Sequence, residues 1–113
     1  MKILGIEFDL DVTDADVIER VQKGQEVADK QNKELEEVRE NLTLAEGIRR
    51  ECKIAKDFLD YVIGEGTSEK LFGEKNSLAK CIQALEDLNN CIESQENDFK
   101  SKISKYSPDR IKR

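Results

Sequence analysis

The chain has 113 residues, the size of one domain, and carries 19 Lys+Arg against 25 Asp+Glu for a net charge of −6. It has no His, no Trp and one Pro, which excludes Ser-His and Cys-His nucleophile pairs and every His-containing zinc site. Charged residues are 39% of the chain and hydrophobic residues 37%. That is enough for a core but a narrow one, because small domains bury a smaller share of their surface.

The first dozen residues alternate with a period of two. Leu4, Ile6, Phe8, Leu10 and Val12 fall on one face, and Glu7, Asp9 and Asp11 on the other, the pattern of a half-buried β-strand. Gly5 lets the chain turn, predicting a Met1–Leu4 strand against Ile6–Leu10. A two-stranded ribbon is marginal alone, so it must lie on helices or pair with another chain.

Helix signals follow. Thr13-Asp14-Ala15-Asp16 reads as an N-cap with acids in the first turn. From there Val17, Val21, Gly24, Ala28, Gln31, Leu35, Val38 and Leu42 form a heptad stripe. Its middle lacks apolar bulk, so the helix either packs closely there or bends. Thr43-Leu44-Ala45-Glu46 is a capping box. The helix it opens carries Ile48, Cys52, Ala55, Leu59 and Val62 on one face, widened by Ile54, Phe58 and Tyr61. That breadth makes it the expected central helix. Gly64-Glu65-Gly66 ends it, and Thr67 or Ser68 can cap a one-turn helix with Leu71 and Phe72. Asn76 or Ser77 caps the last helix, striped with Leu78, Cys81/Ile82, Leu85, Leu88, Ile92, Phe99, Ile103 and Tyr106 before Pro108. The expected fold is mainly α: a short N-terminal β-ribbon, three main helices and a one-turn linking helix. One helical domain over 1–106 contains the 1–12 hairpin, and 107–113 is a basic tail.

Charge is uneven. Residues 1–99 have a net charge of −11, whereas 100–113 carry six Lys or Arg against Asp109, a net of +5. The basic end either offsets its helix dipole or docks on an acidic face of another subunit or partner. The acidic body opposes nucleic acid, and no basic stretch is interleaved with aromatics.

Searches for chemistry end in structural readings. With Asp9 as position 1 of a calcium loop, Asp14 stands where Gly is needed and Arg20 where Glu is needed. Gly64-Glu65-Gly66-Thr67-Ser68 lacks both phosphate-loop patterns. Asp57 and Asp60 read as a solvated helix face. Cys52, Cys81 and Cys91 are odd in number and without C-x-x-C spacing. They read as reduced, buried thiols of a cytosolic protein, and a tetrahedral metal site would need a fourth soft ligand. No stretch has the apolar length of a secretory signal or a membrane span. The expectation is no catalytic, cofactor or metal site.

Apolar surface remains. The stripes either satisfy each other within one core or leave part of themselves to a partner. The length of the first helix favours the second. Candidate partner-binding residues are Phe8, Leu10, Leu35, Val38, Phe58, Leu71, Phe72 and Phe99.

The order of features resembles small prophage and siphophage tail assembly chaperones. The similar pieces are Ile3-Leu4-Gly5-Ile6-Glu7-Phe8-Asp9-Leu10-Asp11, then Asp14-Ala15-Asp16-Val17, then Asp57-Phe58-Leu59-Asp60-Tyr61-Val62-Ile63-Gly64-Glu65-Gly66-Thr67. Leu71-Phe72-Gly73 and a helix with Cys81 follow, so the likeness spans roughly residues 3–92. It implies a non-enzymatic protein of the infected or lysogenic bacterial cytoplasm that coats the tape-measure protein, helps bring tail-tube subunits to it, and is absent from the finished particle. The competing expectations are a phage-encoded acidic inhibitor of a host protein and a minor virion structural protein. Self-association through the ribbon edge or the first helix is a further expectation.

Overall fold

The computed structural model describes residues 1–106, and the basic tail expected at 107–113 lies outside them. The fold is mainly α, with an N-terminal two-stranded ribbon followed by helices. Strands β1 (Lys2–Ile3) and β2 (Ile6–Glu7) pair antiparallel with Ile3 opposite Ile6. Both are far shorter than the alternation suggested. The turn between them is Leu4-Gly5, at φ 51° and 80°, the left-handed pair that a two-residue hairpin needs. Leucine is costly there. It is held because the Leu4 N–H donates to Asp87 Oδ2 at 2.9 Å and its side chain packs on the core. The inward residues are therefore Ile3, Phe8 and Val12, while Ile6 faces outward.

Helix α1 (Ala15–Val38) starts at Asp14, whose side chain accepts from the Asp16 N–H. A 3₁₀ turn, Arg39–Asn41, leads into α2 (Leu44–Val62), where both halves of the Thr43/Glu46 capping box are formed. The short α3 (Thr67–Phe72) begins at Gly66. Neither Thr67 nor Ser68 is its cap, as the sequence had suggested. The Thr67 hydroxyl instead donates back to Gly64 O at 2.7 Å. Asp60 on α2 receives the Ser68 N–H at 2.7 Å and its hydroxyl at 2.8 Å. Asp60 is thus a structural clasp rather than part of a solvated face. Helix α4 (Leu78–Tyr106) starts beside Ser77, whose hydroxyl lies 3.4 Å from the Lys80 N–H.

Helix α2 is central. Antiparallel α1 lies on one flank: Gly24 faces Phe58 and Tyr61, Arg20 donates to Val62 O, and Arg39 reaches back to Glu51. Helix α4 lies on the other flank, running parallel to α2, with Cys81 against Cys52 and Leu78 beside Ile48 and Glu51. The connection is fixed by Lys56, which donates to Lys75 O and Asn76 Oδ1 and stands over the Phe72 ring. The ribbon clamps α4 through Ile3 and Phe8. Farther along, Gln95 accepts from Val12 N–H at 3.0 Å and donates to Leu10 O at 2.9 Å.

The core is Ile3, Phe8, Cys52, Ala55, Leu59, Phe72, Cys81, Ala84 and Leu88. Each fully buried leucine contributes roughly 1.5–3 kcal/mol. Ala84 belongs to it and Ile82 does not, because α4 turns a narrower face to α2 than its stripe implied.

Candidate binding surface

Because α1 and α4 take opposite flanks of α2, they leave a groove between them. Its floor is Ile54, Ala55 and Phe58 of α2. Its walls are Ala28 of α1 and Leu78, Ile82 and Leu85 of α4, enclosing about 370 Å³. The rim is mostly neutral and polar: Gln25, Asn32 and Asn89. Past Leu78 and Glu51 the groove opens into a second apolar hollow of about 540 Å³, lined by Leu42, Leu44, Gly47 and Ile48. From Leu44 to Phe58 the trough follows α2 for about 20 Å. Leu44 is 82% exposed and Ile82 48%, so among the described residues nothing occupies this surface. An apolar trough of this length with mostly neutral polar edges is the shape that accepts an amphipathic helix.

The charge at its open end is set by Arg39, which donates to Glu36 at 3.0 Å and Glu51 at 2.7 Å. Those carboxylates, Glu51 first, push the guanidinium pKa up, and Arg39 and Glu51 form an ion pair at the groove edge. Elsewhere on α1 and α2 the acids alternate with cations, as in Glu19–Lys23 and Lys53–Asp57. No single acidic face results from these two helices.

A smaller cleft of about 200 Å³ lies on the other seam of α1 and α2, lined by Gly24, Val27, Ala28, Gln31, Asp57, Phe58 and Tyr61. Here the bulk-poor middle of α1 is explained. A Cβ on Gly24 would stand 3.1 Å from Tyr61 Cδ1 and 3.2 Å from Phe58 Cδ2. The helix packs closely at that point rather than bending.

The sequence-predicted partner residues separate into two groups. Phe8, Leu35 and Phe72 are buried, and Leu10, Val38 and Leu71 are half-buried, with Leu10 and Leu71 packed on the core. These six hold the fold together and offer a partner little. Phe58 lies on the groove floor, and Phe99 is exposed on the far end of α4. Sequence reasoning missed Leu44, Ile82, Leu85 and Ala28 as groove residues. The stripes of Ala28, Ile82 and Leu85 were visible, but the splay between α1 and α4 was not, and Leu44 was read only as part of the capping box.

Cys52 and Cys81 touch across the α2–α4 seam in the core, and burial followed by the Cys52 thiol pushes Cys81 up to about 12. A thiol held so fully protonated is a packing group rather than a nucleophile. Cys91 is half-buried beside the ribbon. Among the described residues no cluster of acids and cysteines could hold a metal ion, and no helix is long and apolar enough to cross a membrane.

No curated protein and no solved structure matches the chain. Residues 4–113 match a family of unknown function (DUF6673), and the chain belongs to that family.

Proposed function

We propose that the protein is a non-catalytic binding protein whose groove between α1 and α4 receives an apolar helical segment of a partner. The observation that supports this is the open trough itself: Ile54, Phe58, Leu78, Ile82 and Leu85 line a surface that nothing among the described residues covers. Its rim is mostly neutral, with Glu51 paired to Arg39, so it imposes little charge requirement on the occupant. A net charge of −6 keeps a complex with a greasy client in solution.

The resemblance in the opening strand and in the Asp57–Thr67 stretch gives that partner a specific form. In this reading the client is the tape-measure protein of a phage tail, a very long helical chain. The protein acts in the bacterial host cytoplasm, helps recruit tail-tube subunits, and leaves before the particle is finished. Many copies, each held weakly by one groove, would add along one client through multivalency.

Co-expression with a fragment of the tape-measure protein that this reading pairs with the chain tests it. The fragment's soluble yield should rise several-fold, and Ile82→Glu, on the groove wall, should remove the gain while leaving the helical spectrum intact. No rise in yield with the unaltered chain would sink it. The same reading predicts that mass spectrometry of purified particles does not find the protein, which separates it from a virion component.

A further inference from the structure

The ribbon's last hold on α4 is at Gln95. With Cys81 level with Cys52, the end of α2 at Val62 falls level with Cys91. The last eleven residues of α4 therefore continue for about 16 Å with no other described element beside them. Every described side chain from Glu96 to Ile103 is exposed. Two of them are large and apolar: Phe99 at 42% and Ile103 at 50%. They prolong the seam of Leu88, Ile92 and Gln95 beyond the body that the seam serves. A helical stretch this short gains little from its own hydrogen bonds in water, so the arm gains most if something covers that seam.

The charges on the arm say what fits. Acids lie before Phe99 (Glu96 and Asp98) and lysines after it (Lys100 and Lys102). At 100° per residue, Glu96 and Lys100 flank the Phe99–Ile103 seam on one side, and Lys102 and, farther round, Asp98 flank it on the other. In an antiparallel helix pair, each flank meets the same flank of its partner. A two-fold axis at Phe99 then puts Glu96 within about 3 Å axially of the partner copy's Lys100 on one flank. Asp98 stands in the same relation to the partner copy's Lys102 on the other. A parallel pair would instead set lysine on lysine and acid on acid, which is unfavourable.

We infer that the C-terminal arm of α4 is a self-association surface: two copies of the chain pair antiparallel about Phe99, sealing Phe99 and Ile103 between four interchain ion pairs. The interface is isologous, so it closes as a dimer. It is also small. Two eleven-residue helix faces fall below the roughly 1,200 Å² of a standard stable interface, so the dimer forms reversibly with concentration. Its place is not the ribbon edge, where each strand is only two residues long, nor α1, whose heptad stripe is spent on α2. The inference is independent of what occupies the groove.

Sedimentation velocity of the full chain from about 5 to 500 µM, without any client, tests it. The wild type should shift from monomer toward dimer across that range, and Phe99→Asp should remain monomeric with an unchanged helical spectrum. A charge exchange separates pairing through these charges from unspecific apolar sticking. The variants Glu96→Lys/Asp98→Lys and Lys100→Glu/Lys102→Glu should each lose dimer alone, through like-charge repulsion. Mixed one to one, they should recover a heterodimer that weakens as salt rises from 0.05 to 0.5 M. A wild type that stays monomeric at 500 µM would overturn the inference. So would a dimer unaffected by Phe99→Asp, or a mixture that does not associate.

Discussion

Gly24 is where the packing of α1 on α2 can be tested most sharply, because two opposing terms can both be read there. Glycine inside a helix costs about 0.8–1 kcal/mol relative to alanine. Against that, a Cβ would lie 3.1 Å from Tyr61 Cδ1 and 3.2 Å from two Phe58 ring atoms, a few tenths of an ångström inside ordinary contact. Both rings have room to yield, since Tyr61 is 48% exposed and Phe58 borders the groove. For Gly24→Ala the terms nearly cancel, and stability should stay within about 0.5 kcal/mol of wild type. Gly24→Leu adds a branched chain where even the first carbon is crowded. Overpacking of about 1–3 kcal/mol then outweighs the helix gain, leaving the variant about 1–2 kcal/mol less stable. At about 4 °C per kcal/mol for a chain of this size, the thermal midpoint should fall by about 4–8 °C. Circular dichroism melts of the three proteins decide it. A Gly24→Leu midpoint equal to or above wild type would mean that the two helices do not approach as described.

Gln95→Ala should leave the part-buried Val12 N–H without its acceptor, costing about 1 kcal/mol; denaturant unfolding measures this, and an unchanged midpoint would count against the clamp. Of the three thiols in the native protein, Cys91 should react first with a small aromatic disulfide, because Cys81 is pushed up to about 12 by burial and Cys52 is fully buried; labelling of Cys81 as fast as Cys91 would contradict the core. The Asp87 carboxyl is held below the ordinary carboxylate range, first by the Leu4 N–H and then by Gln83. Its support for the ribbon is therefore present above about pH 4 and is lost as pH falls through the depressed value. The Leu4 amide resonance should titrate with that low midpoint, and Asp87→Asn should abolish the titration; a midpoint at or above 4 would show that the bond does not form.

Local signals in the sequence carried the helices well. Asp14, the Thr43/Glu46 box and the glycines after Ile63 set ends that the structure keeps, and the Cys52-Ala55-Leu59-Val62 face is the core face. The failures are all long-range. The period of two in residues 4–12 was real for Phe8, Leu10 and Val12. The hairpin itself depends on Asp87, 83 residues away, holding Leu4 in a left-handed conformation, and no local pattern encodes that. Asp60 looked like one more surface acid because its partner Ser68 belongs to the next helix. Phe72 looked available because a one-turn helix has little pattern of its own, yet it is buried in the core. The groove was hidden for the same reason. Periodicity says which face of a helix is apolar, but not how far two flanking helices spread over a third.

The most direct test of a client-binding groove is an NMR titration of the labelled protein with a soluble helical peptide from the proposed client, the tape-measure protein. Amide shifts should concentrate at Ala28, Ile54, Phe58, Ile82 and Leu85 and vanish in Ile82→Glu. Saturable binding that instead perturbs the ribbon or the α4 arm and leaves those five residues unmoved would contradict it.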